Sequence, residues 1–154
     1  IIGNLVNRGL RIHNTLFRGA ITIGSLHIDD NIVLGEGLIK AYSIESEIAI
    51  YPRIVIDSKL ITKSSNITNY SLSDGIFQDF DLQWCLNPLK FCDDKFEKVF
   101  KDQLFRNVCI QLSEAMKSKN ERVMTKIKWL INYINSYYKQ NHNEILIDIS
   151  KFNI

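Results

Sequence analysis

The sequence predicts an α+β fold, an antiparallel sheet with helices packed on it and an antiparallel helical hairpin after it. Three observations predict this. A β-branched segment with internal glycines runs up to the polar turn Asp29-Asp30-Asn31 and returns as Ile32-Val33-Leu34, which is the pattern of a β-hairpin. An apolar stripe at helical spacing follows, and then the short apolar strand Ile54-Val55-Ile56. Two long helical patterns close the chain, joined by only Lys117-Ser118-Lys119-Asn120. A link that short makes them antiparallel neighbours.

The elements follow in order. Ile1, Ile2, Leu5, Val6 and Leu10 lie close to helical spacing, and Gly9 reads as the stop. Leu16 to Ile28 reads as one strand, with Ala20, Thr22 and Gly24 on one face and Ile21 and Ile23 on the other. Gly19 and Gly24 mark bulges or close approaches within it. The hairpin therefore spans 16–34, and the strand at 53–57 joins the same sheet. Gly35-Glu36-Gly37 ends the hairpin, and a helix runs to about Ile50 with Leu38, Ala41, Tyr42, Glu45, Ile48 and Ala49 on its inward face. Pro52 ends it. Lys59 to Tyr70 is polar and reads as an irregular connection with a helical turn at its start. Ser73-Asp74-Gly75 is a turn, Ile76 to Leu82 a strand, and Trp84 to Leu89 a passage into a loop.

The first closing helix spans roughly Asp94 to Lys117, with Phe96, Val99, Phe100, Leu104, Val108 and Leu112 facing inward. The second spans roughly Asn120 to Lys139, with Val123, Ile127, Leu130, Ile134 and Tyr138 on its face. Ile145-Leu146-Ile147 adds a strand or a packed tail. In domain terms, residues 1–90 form an α+β domain and 91–154 an appended helical hairpin and tail.

Composition bounds the function. The chain has 154 residues, 45% hydrophobic and 23% charged, with a net charge of +2, so neither nucleic acid nor an anionic membrane is indicated as a partner. No apolar run approaches membrane-spanning length, and no signal peptide is visible. The expected location is the cytoplasm. Starting at Ile1-Ile2-Gly3 without Met, the chain reads as a fragment whose natural start lies upstream. Cys85, Cys92 and Cys109 are an odd, irregular set and read as free buried thiols. His13, His27 and His142 do not supply the short ligand spacing that zinc requires. The sequons at Asn66 and Asn69 are chance matches without a secretory route.

Other chemistry-bearing residues have ordinary readings. Arg18 and Arg53 flank strands and could meet phosphate, but solvated strand-edge charges are the preferred account. His27 reads as an exposed turn residue. Glu36 would repel an anion at the helix start. Asp74, Asp79 and Asp81 lack the calcium-loop spacing and read as turn and edge positions. Trp84, Trp129, Tyr133, Tyr137 and Tyr138 could form a stacking platform for bases, but helix packing accounts for them.

One stretch carries a family likeness. The chain reads Arg18-Gly19-Ala20-Ile21-Thr22-Ile23-Gly24, then Gly35, then Ala41-Tyr42-Ser43-Ile44-Glu45, then Tyr51-Pro52-Arg53-Ile54. In order and spacing, residues 14–57 resemble the second half of a class III nucleotidyl cyclase domain. That half has a Gly-Ile-x-x-Gly strand, a hairpin, a strand ending in Gly, and a helix carrying Ala-Ala-Arg-Leu-Glu. A bacterial group of divergent cyclase-like proteins is similar again, with Arg-Gly-Gly-Ile-Thr, Ala-Tyr-x-Leu-Glu and Tyr-Pro-Arg-Ile. Their C-terminal helices carry a string like Lys126-Ile127-Lys128-Trp129-Leu130 here.

The resemblance implies a domain that forms a cyclic nucleotide signal from a nucleoside triphosphate, in places linked to bacterial antiviral signalling. It also implies a homodimer with sites built from both protomers. Mg or Mn would be bound by aspartates in the domain's first half, outside this chain, so no metal ligand is expected here. The nucleotide-facing positions would be Arg18, Thr22, Ile32, Gly35, Ile39 and Ser43. The family's ribose-orienting Asn falls on Ile39, its phosphate-stabilising Arg on Ser43 and its base-reading position near Ile32. None of these side chains can do that work, because a planar donor fork is what suits phosphate oxygens. The catalytic residues are therefore unknown. The alternative is a catalytically inactive cyclase-like module that binds a nucleotide or dimerises.

Overall fold

The computed structural model describes residues 1–63, 75–91 and 97–148. In chain order they form α1 (Ile2–Ile12), β1 (Gly19–Ile21), β2 (His27–Asp29), β3 (Ile32–Leu34), α2 (Glu36–Glu47), β4 (Ile54–Ile56), α3 (Ser58–Lys63), β5 (Ile76–Gln78), β6 (Trp84–Leu86), a 3-10 turn (Pro88–Phe91), α4 (Glu97–Ser118) and α5 (Glu121–His142). The fold class is α+β, with α4 and α5 packed as a hairpin. The chain divides into two compact units. One contains α1, the 3-10 turn, α4 and α5. The other contains β1 to β6, α2 and α3.

In the first unit, Phe100, Leu104, Val108, Leu112 and Ala115 of α4 and Ile127, Leu130, Ile134 and Tyr138 of α5 are buried. These are largely the expected faces, because a three-and-four stripe over six turns leaves one choice of inward side. Val99 and Val123, expected inward, are exposed. Asn120 caps α5, its Oδ1 accepting from the amides of Arg122 (3.0 Å) and Val123 (3.3 Å). Helix α1 runs through Gly9 and ends a turn later at His13. Its buried face is Gly3, Val6, Asn7, Gly9 and Leu10, while Ile1, Ile2 and Leu5 are exposed. The glycines explain the difference: the Phe91 ring occupies the place where a Gly3 Cβ would stand. The expected C-terminal tail is confirmed as packed rather than as a strand. Ile147 is fully buried, and its amide and carbonyl both bond the Asn135 side chain (2.9 and 2.7 Å).

The second unit departs from expectation in its sheet. Leu16 to Ile28 is not one strand. It breaks after Ile21, and only His27–Asp29 pairs antiparallel with Ile32–Leu34. That two-stranded hairpin is a separate sheet. Strand β1 instead pairs parallel with β4, Gly19 opposite Ile54 and Ile21 opposite Ile56. The strand at 53–57 thus belongs to a mixed four-stranded sheet ordered β1-β4-β6-β5, and not to an antiparallel sheet with the hairpin 16–34. The physical reason is burial. Ile54, Val55 and Ile56 are buried at every position and need a neighbour on each edge, which β1 and β6 supply. Trp84–Leu86, expected as a passage into a loop, is the strand lying between β4 and β5. The strand expected over Ile76 to Leu82 stops at Gln78, where the chain turns through Asp79 to Leu82. Residues 64–74 and 92–96, with Cys92, Phe96, Asp74 and the two sequons, lie outside the described residues.

Candidate functional site

The second unit concentrates polar side chains at the carboxyl ends of its two parallel strands. The register that sets Ile21 beside Ile56 places the next residues, Thr22 and Asp57, beside each other. Thr22 Oγ1 donates to Asp57 Oδ2 at 2.7 Å, and Lys40 Nζ from α2 donates to the same oxygen. The other oxygen accepts from the Lys59 amide at 3.1 Å, where Asp57 also starts α3. The Asp57 side chain is 7% exposed and that of Lys40 35%. Burial alone would push the Asp57 carboxyl up. The bonds from Lys40, Thr22 and the Lys59 amide outweigh burial and hold it at about 2.

Lys40 reaches this place on the inward side of α2. The covered positions are Gly37, Lys40, Ala41, Ser43, Ile44 and Glu45, with Ile48 and Ala49 just past the helix end, whereas Leu38 and Tyr42, expected inward, are exposed. Two glycines hold the start of the helix in this setting. A Cβ on Gly24 would stand 2.6 Å from the Gly37 amide nitrogen and 2.7 Å from its Cα, so this pair brings the loop after β1 onto the start of α2. The Gly37 amide then donates to the Ser25 carbonyl at 3.1 Å. Gly35 sits at φ +145, and a Cβ there would collide with the Ser25 carbonyl, so a side chain is excluded on both counts.

The residues expected to face a nucleotide do not all gather. Thr22 belongs to the cluster. Arg18 is exposed and paired with Glu45 of α2. Ile32 is exposed on β3, Gly35 caps α2, and Ile39 is 70% exposed on the outer side of that helix. Ser43 Oγ bonds its neighbour Glu47 at 3.2 Å. Lys40 and Asp57 were missed as a pair. The available signal was a lysine inside the stripe Gly37, Ala41, Ile44, Ile48. A cation on an inward face needs a carboxylate, and Asp57 directly follows the most buried strand.

Arg53 is the second polar centre, and it corrects the solvated-edge reading. It is 3% exposed. Its guanidinium pairs with Asp79 and Asp81 and donates to the Ile48 carbonyl at 3.2 Å. The Tyr51 ring lies 5.3 Å away. Asp79 and Asp81, expected as turn and edge residues, are the clamp on this cation. Burial disfavours the charged guanidinium, but the Asp81 and Asp79 carboxylates hold its pKa above the ordinary value. Burial first, with the two carboxylates adding and Arg53 opposing, pushes the Cys85 thiol up to about 12. This cluster ties the end of α2, the start of β4 and the β5–β6 turn together, and its geometry is structural. The aromatic residues of α5 pack as the helix reading holds. Trp129 and Tyr133 stack at 5.6 Å, and Tyr133 donates to Asn87 Oδ1 at 2.6 Å.

Among the described residues no group of three or more His, Cys, Asp or Glu could hold a metal ion. Asp57, Asp79 and Asp81 are each engaged by a cation. These residues do not fit the divalent metals implied by the family resemblance. Among them, also, no helix is long and apolar enough to cross a membrane. No family model, curated protein or solved structure matches the chain.

Proposed function

We propose that the unit built on β1 to β6 is a cyclase-like module that binds a nucleoside triphosphate. The observation that carries the reading is the cluster Thr22-Lys40-Asp57 at the carboxyl ends of parallel β1 and β4. Open sheets bind ligands at such strand ends, where side chains from adjacent strands and the connecting helix converge. The likeness of residues 14–57 to the second half of class III cyclases supplies the ligand class. The antiparallel hairpin His27–Leu34, the following helix and the buried strand β4 keep that order, while the parallel pairing of β1 departs from the 16–34 hairpin the likeness implies.

Binding is proposed ahead of cyclisation. Ile39 and Ser43 stand where a ribose-orienting amide and a phosphate-stabilising guanidinium would act, and losing one such donor slows a reaction by about a hundredfold or more. Forming a cyclic nucleotide signal, in antiviral signalling or elsewhere, would need metal-bound carboxylates from residues other than those described. Dimerisation fits the same module: Ile28, Ile32, Val33 and Leu34 leave both faces of the hairpin apolar and exposed, and an isolated two-stranded sheet is marginal without cover.

Calorimetric titration of the protein with each nucleoside triphosphate tests the reading, and incubation with the same nucleotides and manganese tests for cyclic product. Saturable binding without product supports the module as proposed. Product formation would promote it to an enzyme. No binding of any triphosphate at millimolar concentration would sink it.

A further inference from the structure

The geometry points to Lys40 as the phosphate-contacting cation of this module, held in reserve by Asp57; the inference rests on the nucleotide-binding reading. Four features lead there. Lys40 follows Ile39, the position the resemblance assigns to the ribose, but its side chain turns inward to the strand ends where Thr22 and Asp57 meet. The pair is unequal in exposure: the Lys40 side chain is about one third open to solvent while that of Asp57 is nearly closed off. Asp57 has its oxygens occupied by Lys40, Thr22 and the Lys59 amide. Lys40 has three N–H donors and gives one to Asp57, which leaves two for a second anion.

A phosphate oxygen arriving from the open side would take those donors, as a compact ammonium readily bridges two anions. Asp57 would then act as a competitor. It fixes the ammonium in place when the site is empty and reduces its pull on phosphate when the site is filled. Arg18, just before β1, has its guanidinium committed to Glu45. Lys40 thereby supplies charge that neither Ile39 nor Ser43 can provide.

The test uses the whole protein with inorganic tripolyphosphate and a nucleoside triphosphate as probes. Calorimetry compares the native chain with Lys40→Met and Asp57→Asn, with circular dichroism on each. Lys40→Met is expected to weaken both probes by about tenfold or more, the scale of one charge-assisted contact. Asp57→Asn, by removing the competing charge, is expected to bind both probes more tightly than the native chain, the opposite direction to Lys40→Met. A merely structural ion pair would make both substitutions move together. Mass-spectrometric amine acylation of the native protein needs no variant: either probe is expected to protect Lys40 over Lys59 and Lys126. Nucleotide binding that survives Lys40→Met unchanged overturns the Lys40 assignment and leaves the module's function standing. Equal weakening by both variants, or no protection of Lys40, also overturns it. If the native protein binds neither probe, the functional reading itself falls.

Discussion

Replacing Arg53 by Leu should loosen the four-stranded sheet far more than removal of an exposed charge would. Arg53 is 3% exposed and faces Asp79 and Asp81, whose side chains are 11% and 32% exposed. Leucine fills part of the volume but removes the Arg53 cation from both the Asp79 and Asp81 carboxylates. Breaking a buried pair by removing one partner costs about 3–5 kcal/mol. Asp81 is partly solvated and can relax toward water, which argues for the lower end, about 3 kcal/mol. The loss also frees the Ile48 carbonyl. Because the chain forms two units, a single global unfolding midpoint would mix them. Hydrogen–deuterium exchange read on peptides covering Ile54–Ile56 and Trp84–Leu86 isolates the affected sheet. At 1.4 kcal/mol per decade, about 3 kcal/mol corresponds to roughly a hundredfold faster exchange there. Amides of α4 and α5 should change little. Acceleration below about fivefold, equivalent to under 1 kcal/mol, would refute the claim that this buried triad holds the sheet.

Three further outcomes are expected. Asp57 has a folded pKa of about 2 against an ordinary 3.8, so its contribution is complete above pH 5 and is lost as pH falls from about 4 toward 2. The integrated effect is about 2 kcal/mol, measured as the difference between the native chain and Asp57→Asn in acid denaturation; two parallel profiles would contradict it. Gly24→Ala drives a Cβ into the Gly37 backbone, which has no flexible end to yield, and should destabilise the second unit by about 1–3 kcal/mol in urea titration followed by exchange at β1. Tyr133→Phe removes the donor to Asn87 Oδ1, on a side chain that is fully buried and whose Nδ2 has no partner among the described residues. A loss of about 1–3 kcal/mol is expected, seen as a lower thermal midpoint for α5; an unchanged midpoint would mean that Asn87 finds another donor.

What the sequence determined by itself is whatever a single periodicity can express. The stripes of α4 and α5 extend over many turns, so the apolar positions Leu104, Val108, Leu112, Ile127, Leu130 and Ile134 could point only one way. The hairpin about Asp29-Asp30-Asn31 was set by local turn chemistry, and the strand Ile54–Ile56 by unbroken β-branched apolarity. The tertiary structure decided what depends on partners far away in the chain. Strand β1 is three residues long, and its choice of β4 over β3 follows from the need to cover a fully buried strand. The close approach of Gly24 to Gly37 holds the start of α2 against the loop after β1, and the packed helix brings Lys40 to Asp57. Arg53 looked like a surface charge because its two carboxylates stand 26 and 28 residues away. A charge is read as buried or solvated only once its counter-ions are placed, and placing them is the work of the fold.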